Sequence, residues 1–276
     1  MVTNKFNLPQ VILDALNLDP RKYFPMRYSV TELIDSPRVT TLKRRHEVDV
    51  DASDMINQLF GDAFHAYLKS HDKSEHAEYK MIEVGVDGCT LVGVVDKYAD
   101  YTVIDYKTTS VYKVVMQDFS EWRLQGLMYA WLLRRRGLYT GKLQFIAFLK
   151  DWQSSKAKYD DTYPQSQVYV YESDITATDM IEIETFISER LATLTACENV
   201  PDDELPLCTD AERWSTKTKY AVMKKGRKTA VKVCDSLEDA QAYGDGYEIE
   251  TRVGRDRRCE EYCEMRQYCN YKKGII

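Results

Sequence analysis

Asp105 and Lys107 stand one residue apart at the end of an apolar run, Val103-Ile104-Asp105-Tyr106-Lys107-Thr108. Read as a strand, with its period of two, this run puts both side chains on one face, about 7 Å apart along the chain. A carboxylate able to bind a divalent cation and an amine able to steady negative charge therefore meet at one point. Alone, an Asp-x-Lys triplet arises by chance about once in a chain of this size, and a solvated strand end is its plain alternative. Asp96 strengthens it. It closes the run Val92-Gly93-Val94-Val95, and a hairpin turning near Ala99 and Asp100 carries it across from Val103 to Asp105. Hard oxygen donors grouped in this way suit Mg²⁺ or Mn²⁺. A cation so held polarises a phosphoryl oxygen and lowers the pKa of a bound water, which phosphodiester hydrolysis requires.

Two helical pairs flank these groups. Gly61 and His65 lie four apart, so the missing side chain at Gly61 leaves space one turn from the imidazole; Gln125 and Tyr129 have the same spacing. Taken singly, His65 reads as a hydrogen-bonded core residue and Gln125–Tyr129 as a buried polar pair.

The elements that must position them follow from periodicity. Ser29, with Glu32 three residues on, caps a short helix that Pro37 interrupts. Ser53 to about His71 repeats Met55, Leu59, Phe60, Phe64 and Leu68 at helical spacing, a helix with one buried face. Tyr79–Val86, Thr90–Lys97 and Tyr101–Lys107 read as three antiparallel strands. A helix covers Asp118 to Arg135 and stops at Gly137. Strands follow at Gln144–Lys150 and Ser166–Tyr171, and Asp174 caps a long helix to about Cys197. From Pro201 the composition shifts. A hairpin, Tyr220–Met223 and Thr229–Cys234, precedes a short helix at Ser236–Tyr243 and a strand at Tyr247–Val253.

The ordered set Gly61-x-x-x-His65, Gly93-Val94-Val95-Asp96, Ile104-Asp105-Tyr106-Lys107-Thr108 and Gln125-x-x-x-Tyr129 resembles the PD-(D/E)XK nuclease superfamily. Within it, the set is similar to the RecB-like branch that includes CRISPR-associated adaptation nucleases and many phage exonucleases. The resemblance spans roughly Tyr28 to Lys150. It implies an α/β (α+β) fold, a restriction-endonuclease-like core with a central mixed sheet flanked by helices. It also implies that His65, Asp96, Asp105 and the carbonyl of Tyr106 hold a divalent ion. Lys107 would orient or activate the attacking water, and Gln125 and Tyr129 would hold Lys107 and the DNA backbone. Asp stands where some members have Glu two residues before the Lys, which the pattern allows. Glu83 is a candidate to support the ligands, its alternative being a solvent-facing strand residue.

Cys259, Cys263 and Cys269 lie within eleven residues, far denser than seven cysteines scattered over 276 positions. A soft tetrahedral site for zinc or an iron-sulfur cluster is their natural reading, with a fourth thiolate from elsewhere. The resembled nucleases often close this region with an iron-sulfur cluster (4Fe-4S) that takes one cysteine ahead of the core. Where they tend to have Cys-Pro-Arg, this chain has Ser36-Pro37-Arg38, and no cysteine precedes Cys89. Cys208 is the expected fourth ligand and Cys234 the runner-up; Cys89 and Cys197 read as structural.

The composition is 44% apolar and 30% charged, with a net charge of −6, which argues against a bulk polycation for nucleic acid but leaves room for a local basic groove. Lys217, Lys219, Lys224, Lys225, Arg227, Lys228 and Lys232 fall between Ser215 and Cys234 with no acidic residue among them. With Trp214 and Tyr220 nearby, they could track a phosphate backbone, or form a solvated hairpin. Two domains are expected, a nuclease core over 1–200 and a metal-binding lobe over 201–276. Met1 to Leu18 carry no export signal and no run of about 18 apolar residues occurs, so a cytoplasmic location is expected. The expected partners are DNA, single-stranded or as duplex ends, and a second copy of the chain or a recombination protein, with no membrane. The expected activity is that of a Mg²⁺- or Mn²⁺-dependent DNA exonuclease. The rivals are a non-catalytic DNA-binding accessory module and a restriction-type endonuclease.

Overall fold

The strand that carries Asp105 and Lys107 runs Thr102–Thr109 and is the second of four in a mixed sheet of the computed structural model. The order is Lys97–Ala99, Thr102–Thr109, Lys142–Leu149 and Val168–Asp174. The outer pairings are antiparallel and the central one is parallel. A parallel pair needs a crossover, which the Ser120–Arg135 helix supplies. A second sheet joins Arg27–Ser29, parallel, and Lys80–Val86, antiparallel, to Cys89–Val95. Its hairpin turns at Asp87-Gly88, both at positive φ (48° and 80°) as a two-residue loop between twisted strands requires.

The structure describes residues 2–16, 22–72, 80–244 and 246–271, so the expectations at Met1, Leu18 and Tyr79, and the chain end at 276, lie outside them. The chain divides into two compact units, Met1–Asn199 and Val200–Ile276. Among the described residues no helix is long and apolar enough to cross a membrane.

The three expected antiparallel strands are in fact divided between the two sheets. Val95 pairs with Lys80 in one and Lys97 pairs with Ile104 in the other, leaving Asp96 as the single residue between them. The Ser120–Arg135 helix then packs on both sheets. Its close approach depends on two positions that lack a side chain. A Cβ on Gly93 would lie 2.5 Å from Leu132 Cδ1 and 3.1 Å from the Tyr129 ring, and one on Gly126 would lie 2.8 Å from Phe145 Cζ. Met128 and Leu132, on the buried side of this helix, are fully enclosed. Overfilling such a contact costs about 1–3 kcal/mol. Gly93→Val is therefore expected to lower the thermal midpoint and also to displace Tyr129; an unchanged melting curve would show that the helix does not need this gap.

Ser29 and Glu32 form the expected capping box on the helix Val30–Ile34, and Pro37 opens a second helix, Pro37–Arg45, in its first turn. The long helix Ala177–Cys197 is capped by Thr176 with Asp179, and not by Asp174, which stays in the sheet opposite Lys142. Its Ile183, Ile187, Leu191 and Leu194 are buried. The helix Ile56–His71 departs further from expectation. None of its residues is buried, and Phe60 is 61% exposed. Its docking is local, with Phe64 against Phe148 at a ring distance of 3.9 Å.

In the second unit Lys219–Lys224 lies between Lys232–Cys234 and Tyr247–Arg252, all antiparallel. The helix Leu237–Gln241 packs there, and Val222, Cys234 and Ala240 form the small core with Tyr220, Tyr247 and Ile249 around it. A π-helical turn, Arg258–Tyr262, and a 3₁₀ turn, Glu264–Gln267, carry the cysteine segment.

Candidate active site

Asp96 sits where the chain leaves one sheet for the other, and its carboxylate is held from two sides. Oδ2 accepts the Tyr106 backbone N–H at 2.9 Å, and Oδ1 stands 3.0 Å from His65 Nδ1 on the Ile56–His71 helix. Across the sheet face Lys107 Nζ lies 2.8 Å from Asp105 Oδ2 and donates to Gln125 Oε1 at 2.6 Å. Gln125 Nε2 in turn donates to Tyr129 Oη at 2.9 Å. A strand alternation, one helical i,i+4 pair and one chain crossover thus bring His65, Asp96, Asp105, Lys107, Gln125 and Tyr129 into one connected set.

The electrostatics are those of a partly dehydrated pocket. Asp105 is 4% exposed, and burial pushes its carboxyl above the usual range while the Lys107 ammonium opposes the shift and the Asp96 charge adds to it. The hydrogen bond with Asp96 raises the His65 imidazole, and the Tyr106 backbone, acting as acceptor and hence through its carbonyl, adds to the effect. Burial also raises the Tyr129 phenol, which stays a neutral hydrogen-bonding group. Asp105 Oδ2 is buried and its partner is the Lys107 ammonium at 2.8 Å. Among the described residues no three ligating side chains enclose a metal-sized space as they stand: His65 is turned onto Asp96, and Lys107 onto Asp105. The donor set, an imidazole, two carboxylates and the Tyr106 carbonyl, fits a hard divalent cation by its chemistry.

Two neighbours read from the sequence lie differently. Glu83 pairs with Arg27 and is not drawn to the Asp96–Asp105 cluster. A Cβ on Gly61 would meet Thr108 Oγ1 at 3.6 Å, an ordinary contact, so this glycine marks where the helix passes the strand and leaves no cavity beside the imidazole.

The seven cysteines separate by burial. Cys89, Cys197 and Cys234 are buried, and Cys208, Cys259, Cys263 and Cys269 are half-buried. Cys234 lies in the small core of the second unit, which removes it as a ligand. Burial raises the Cys259 thiol to about 11, with Cys208, Cys263 and Cys269 adding to the shift, yet among the described residues no three of these cysteines are arranged to hold a metal ion as they stand. Sequence reading gave no sign of the groups that hold Cys208 in place. Arg213 donates to the Cys208 carbonyl and pairs with Asp256, which accepts from Ser215 and, at 2.9 Å, from Tyr271 Oη.

The basic stripe is two features. Lys224, Lys225, Arg227 and Lys228 are exposed at the hairpin turn. Lys217 and Lys219 instead line a separate cleft of about 460 Å³ with Arg252, Arg255 and Arg257, arginines too far along the chain to be grouped with them by sequence. That cleft is largely neutralised. Lys219 pairs with Asp235, Arg252 with Glu250 at 2.9 Å and Arg255 with Glu260 at 3.0 Å. Trp214 packs against Tyr262, 5.3 Å between ring centres, and stays half exposed, while Tyr220 packs on the small core.

Comparison with known proteins bears on the whole arrangement. The structure of SSO0001 is similar over 70% of this chain and 85% of that one, with 16% identity and a TM-score of 0.42. That of the alkaline exonuclease LHK-Exo from Laribacter hongkongensis is similar over 61% and 91%, with 14% identity and a TM-score of 0.34. The same exonuclease in complex with dAMP gives 16% identity over 61% and 92%, with a TM-score of 0.36. No curated protein matches the chain. The sequence pattern of the PD-(D/E)XK nuclease superfamily matches residues 30–270, which takes in His65, Asp96, the strand bearing Asp105 and Lys107, Gln125 and Tyr129. Two mixed sheets flanked by helices are the restriction-endonuclease-like fold of that superfamily, and the chain belongs to it.

Proposed function

We propose that the protein is a Mg²⁺- or Mn²⁺-dependent DNA exonuclease, serving recombination, repair or processing of phage or prokaryotic DNA. The observation that carries this reading is the Lys107 ammonium fixed between a buried carboxylate and Gln125. His65, Asp96, Asp105 and the Tyr106 carbonyl are the groups that would hold the cation. When bound, it supplies polarisation of a phosphoryl oxygen and a lowered pKa for a coordinated water.

The remaining steps belong to the chain. Lys107 Nζ is placed to hold the attacking water and to offset charge growing on the phosphoryl oxygens, and a fixed ammonium in a dehydrated pocket does this without reorganising. Gln125 fills one of the three donor directions of the ammonium, and Tyr129 orients the Gln125 amide so that its carbonyl faces the lysine. Lys224, Lys225, Arg227 and Lys228, exposed at the hairpin turn, are the proposed backbone contacts, whereas Lys219 is engaged with Asp235 and lines the neutralised cleft with Lys217. Labelled linear and covalently closed DNA, each offered with Mg²⁺, Mn²⁺ or no metal, test the reading. Metal-dependent loss of the linear form alone is expected; cleavage of the closed circle makes the protein an endonuclease, and binding without cleavage makes it an accessory module.

Cys208, Cys259, Cys263 and Cys269 are the proposed ligands of an iron-sulfur cluster (4Fe-4S), with zinc as the second choice. The dense spacing of Cys259, Cys263 and Cys269 and the shared half-burial of all four support this reading. Protein purified without oxygen is expected to be brown and to hold iron, and Cys259→Ser is expected to lose both. A colourless protein with stoichiometric zinc would replace the cluster by zinc, and a metal-free one would remove the site.

A further inference from the structure

Three of the four groups proposed to hold the cation, Asp96, Asp105 and the Tyr106 carbonyl, lie within eleven residues of chain that the two sheets fix. His65 alone arrives on a separate element, the Ile56–His71 helix, and that helix buries none of its residues. A ligand carried in this way is only as well placed as the contacts that seat its element.

The seat is a short set of contacts. Towards the ends they are polar. Lys150 Nζ donates to Asn57 Oδ1 at 2.7 Å, both residues being exposed, and Lys97 Nζ pairs at 2.7 Å with Asp72 Oδ2, just past the last turn. An exposed polar contact holds little, because water competes for both partners. In the middle, beside His65, the contact is apolar: Phe64 lies on Phe148 with 3.9 Å between ring centres. Phe148 stands opposite Thr108 in the parallel ladder, one residue beyond Lys107. Strand alternation turns Thr108 to the face away from Asp105 and Lys107. On that face the helix comes close at Gly61, where a Cβ would meet Thr108 Oγ1 at 3.6 Å. Gly61 and Phe64 thus set how far the helix stands from the sheet. The next residue is His65, whose ring meets Tyr106 edge-on at 6.1 Å and whose Nδ1 lies 3.0 Å from Asp96 Oδ1. Phe60, one turn earlier, stays 61% exposed.

We propose that Phe64 is a positioning residue of the cation site: by seating the Ile56–His71 helix on Phe148 it sets the place of the His65 imidazole, and so the affinity for Mg²⁺ or Mn²⁺. The inference rests on the cation-binding reading and adds to it a residue that is itself no ligand. Removing a group that orients a ligand costs about 10- to 100-fold in metal affinity.

Mn²⁺ binding to the full chain tests this without DNA, followed by the electron paramagnetic resonance of the free ion and counted as the binding lost in Asp105→Asn. Phe64→Ala is expected to weaken it about 10- to 100-fold. Phe64→Leu, which keeps an apolar side chain on Phe148, should restore most of the affinity, and Phe60→Ala should leave it unchanged. In a His65→Ala background, Phe64→Ala should change the affinity by less than about twofold, because the ring acts through the imidazole. Amides of Ile56–His71 should exchange faster in Phe64→Ala while those of Thr102–Thr109 keep their protection. Parent-like Mn²⁺ affinity in Phe64→Ala would overturn the role. So would an equal further loss in the His65→Ala background, which would make Phe64 a support of the fold at large. A parent chain without Asp105-dependent Mn²⁺ binding would overturn the cation site and this role together. Failure of the nuclease reading is separate and shows as Mn²⁺ binding by a parent chain that cuts no DNA.

Discussion

Asp105→Asn is expected to reduce metal-dependent DNA cleavage by about 10³-fold or more while leaving the fold in place. The carboxylate is 4% exposed, and the Lys107 ammonium stands 2.8 Å from its Oδ2. An amide of the same shape keeps the packing and removes the negative charge that a cation needs. A thousandfold loss corresponds to about 4 kcal/mol of transition-state stabilisation, within reach of losing one ligand in a dehydrated pocket. Lys107→Ala should cost about 10²- to 10³-fold by a different route, since the cation-binding groups stay and only the ammonium goes. The two defects separate in metal titration: raising Mn²⁺ should recover part of the Asp105→Asn loss and none of the Lys107→Ala loss. Melting midpoints within about 4 °C of the parent would show that chemistry and not folding was lost. Full activity in either variant would remove the proposed centre.

Gly254→Val is expected to unfold the second unit. A Cβ at residue 254 would stand 2.1 Å from the Thr216 carbonyl oxygen and 2.9 Å from both Lys217 C and Thr218 N, all of them backbone atoms that cannot swing aside. Separating the two segments breaks a set of bonds together. Gly254 N–H donates to Thr218 Oγ1 at 3.0 Å, Thr216 N–H to the Arg255 carbonyl at 3.0 Å and Arg255 N–H to Thr216 Oγ1 at 3.0 Å. Asp256 follows directly, and with it the Arg213 contact that holds the Cys208 carbonyl. The expected cost exceeds about 4 kcal/mol, the range reserved for a broken backbone contact and lost network. Hydrogen exchange on the full chain reads it: amides of Lys219–Lys224 and Tyr247–Arg252 should exchange at unfolded rates while those of Thr102–Thr109 keep their protection. Unchanged protection in the second unit would show that the two segments have room to part.

The pairings of the candidate site were legible because they depend on short-range periods. Asp105 and Lys107 need only a strand, Gln125 and Tyr129 only a helix, and Asp96 only a hairpin of ordinary length. What failed to show in the sequence is set by long-range packing. The β-branched run through Val92–Val95 looks the same whether it continues in one sheet or hands over to another at Asp96. Helical periodicity placed Phe60 and Phe64 on one side of Ile56–His71 but does not distinguish Phe64, which packs on Phe148, from Phe60, which stays 61% exposed. Asp174 has the chemistry of a cap, yet the ladder with Lys142 keeps it extended and passes the role to Thr176. Arg252, Arg255 and Arg257 reach Lys217 only because Tyr247–Arg252 folds back along Lys219–Lys224.

Asp96 belongs to neither sheet, and this single-residue handover separates the centre from changes elsewhere in the chain. The hairpin at Asp87-Gly88 can lengthen without shifting the register of Val95 on Lys80 or of Lys97 on Ile104, the two anchors that fix Asp96 in space, whereas the turn at Asp100-Tyr101 is tied to the next strand by the Gly141 N–H on the Tyr101 carbonyl at 2.8 Å. A loop grafted at the first turn would leave the proposed cation-binding geometry intact, which makes it the natural port for attaching a new targeting domain to this nuclease scaffold.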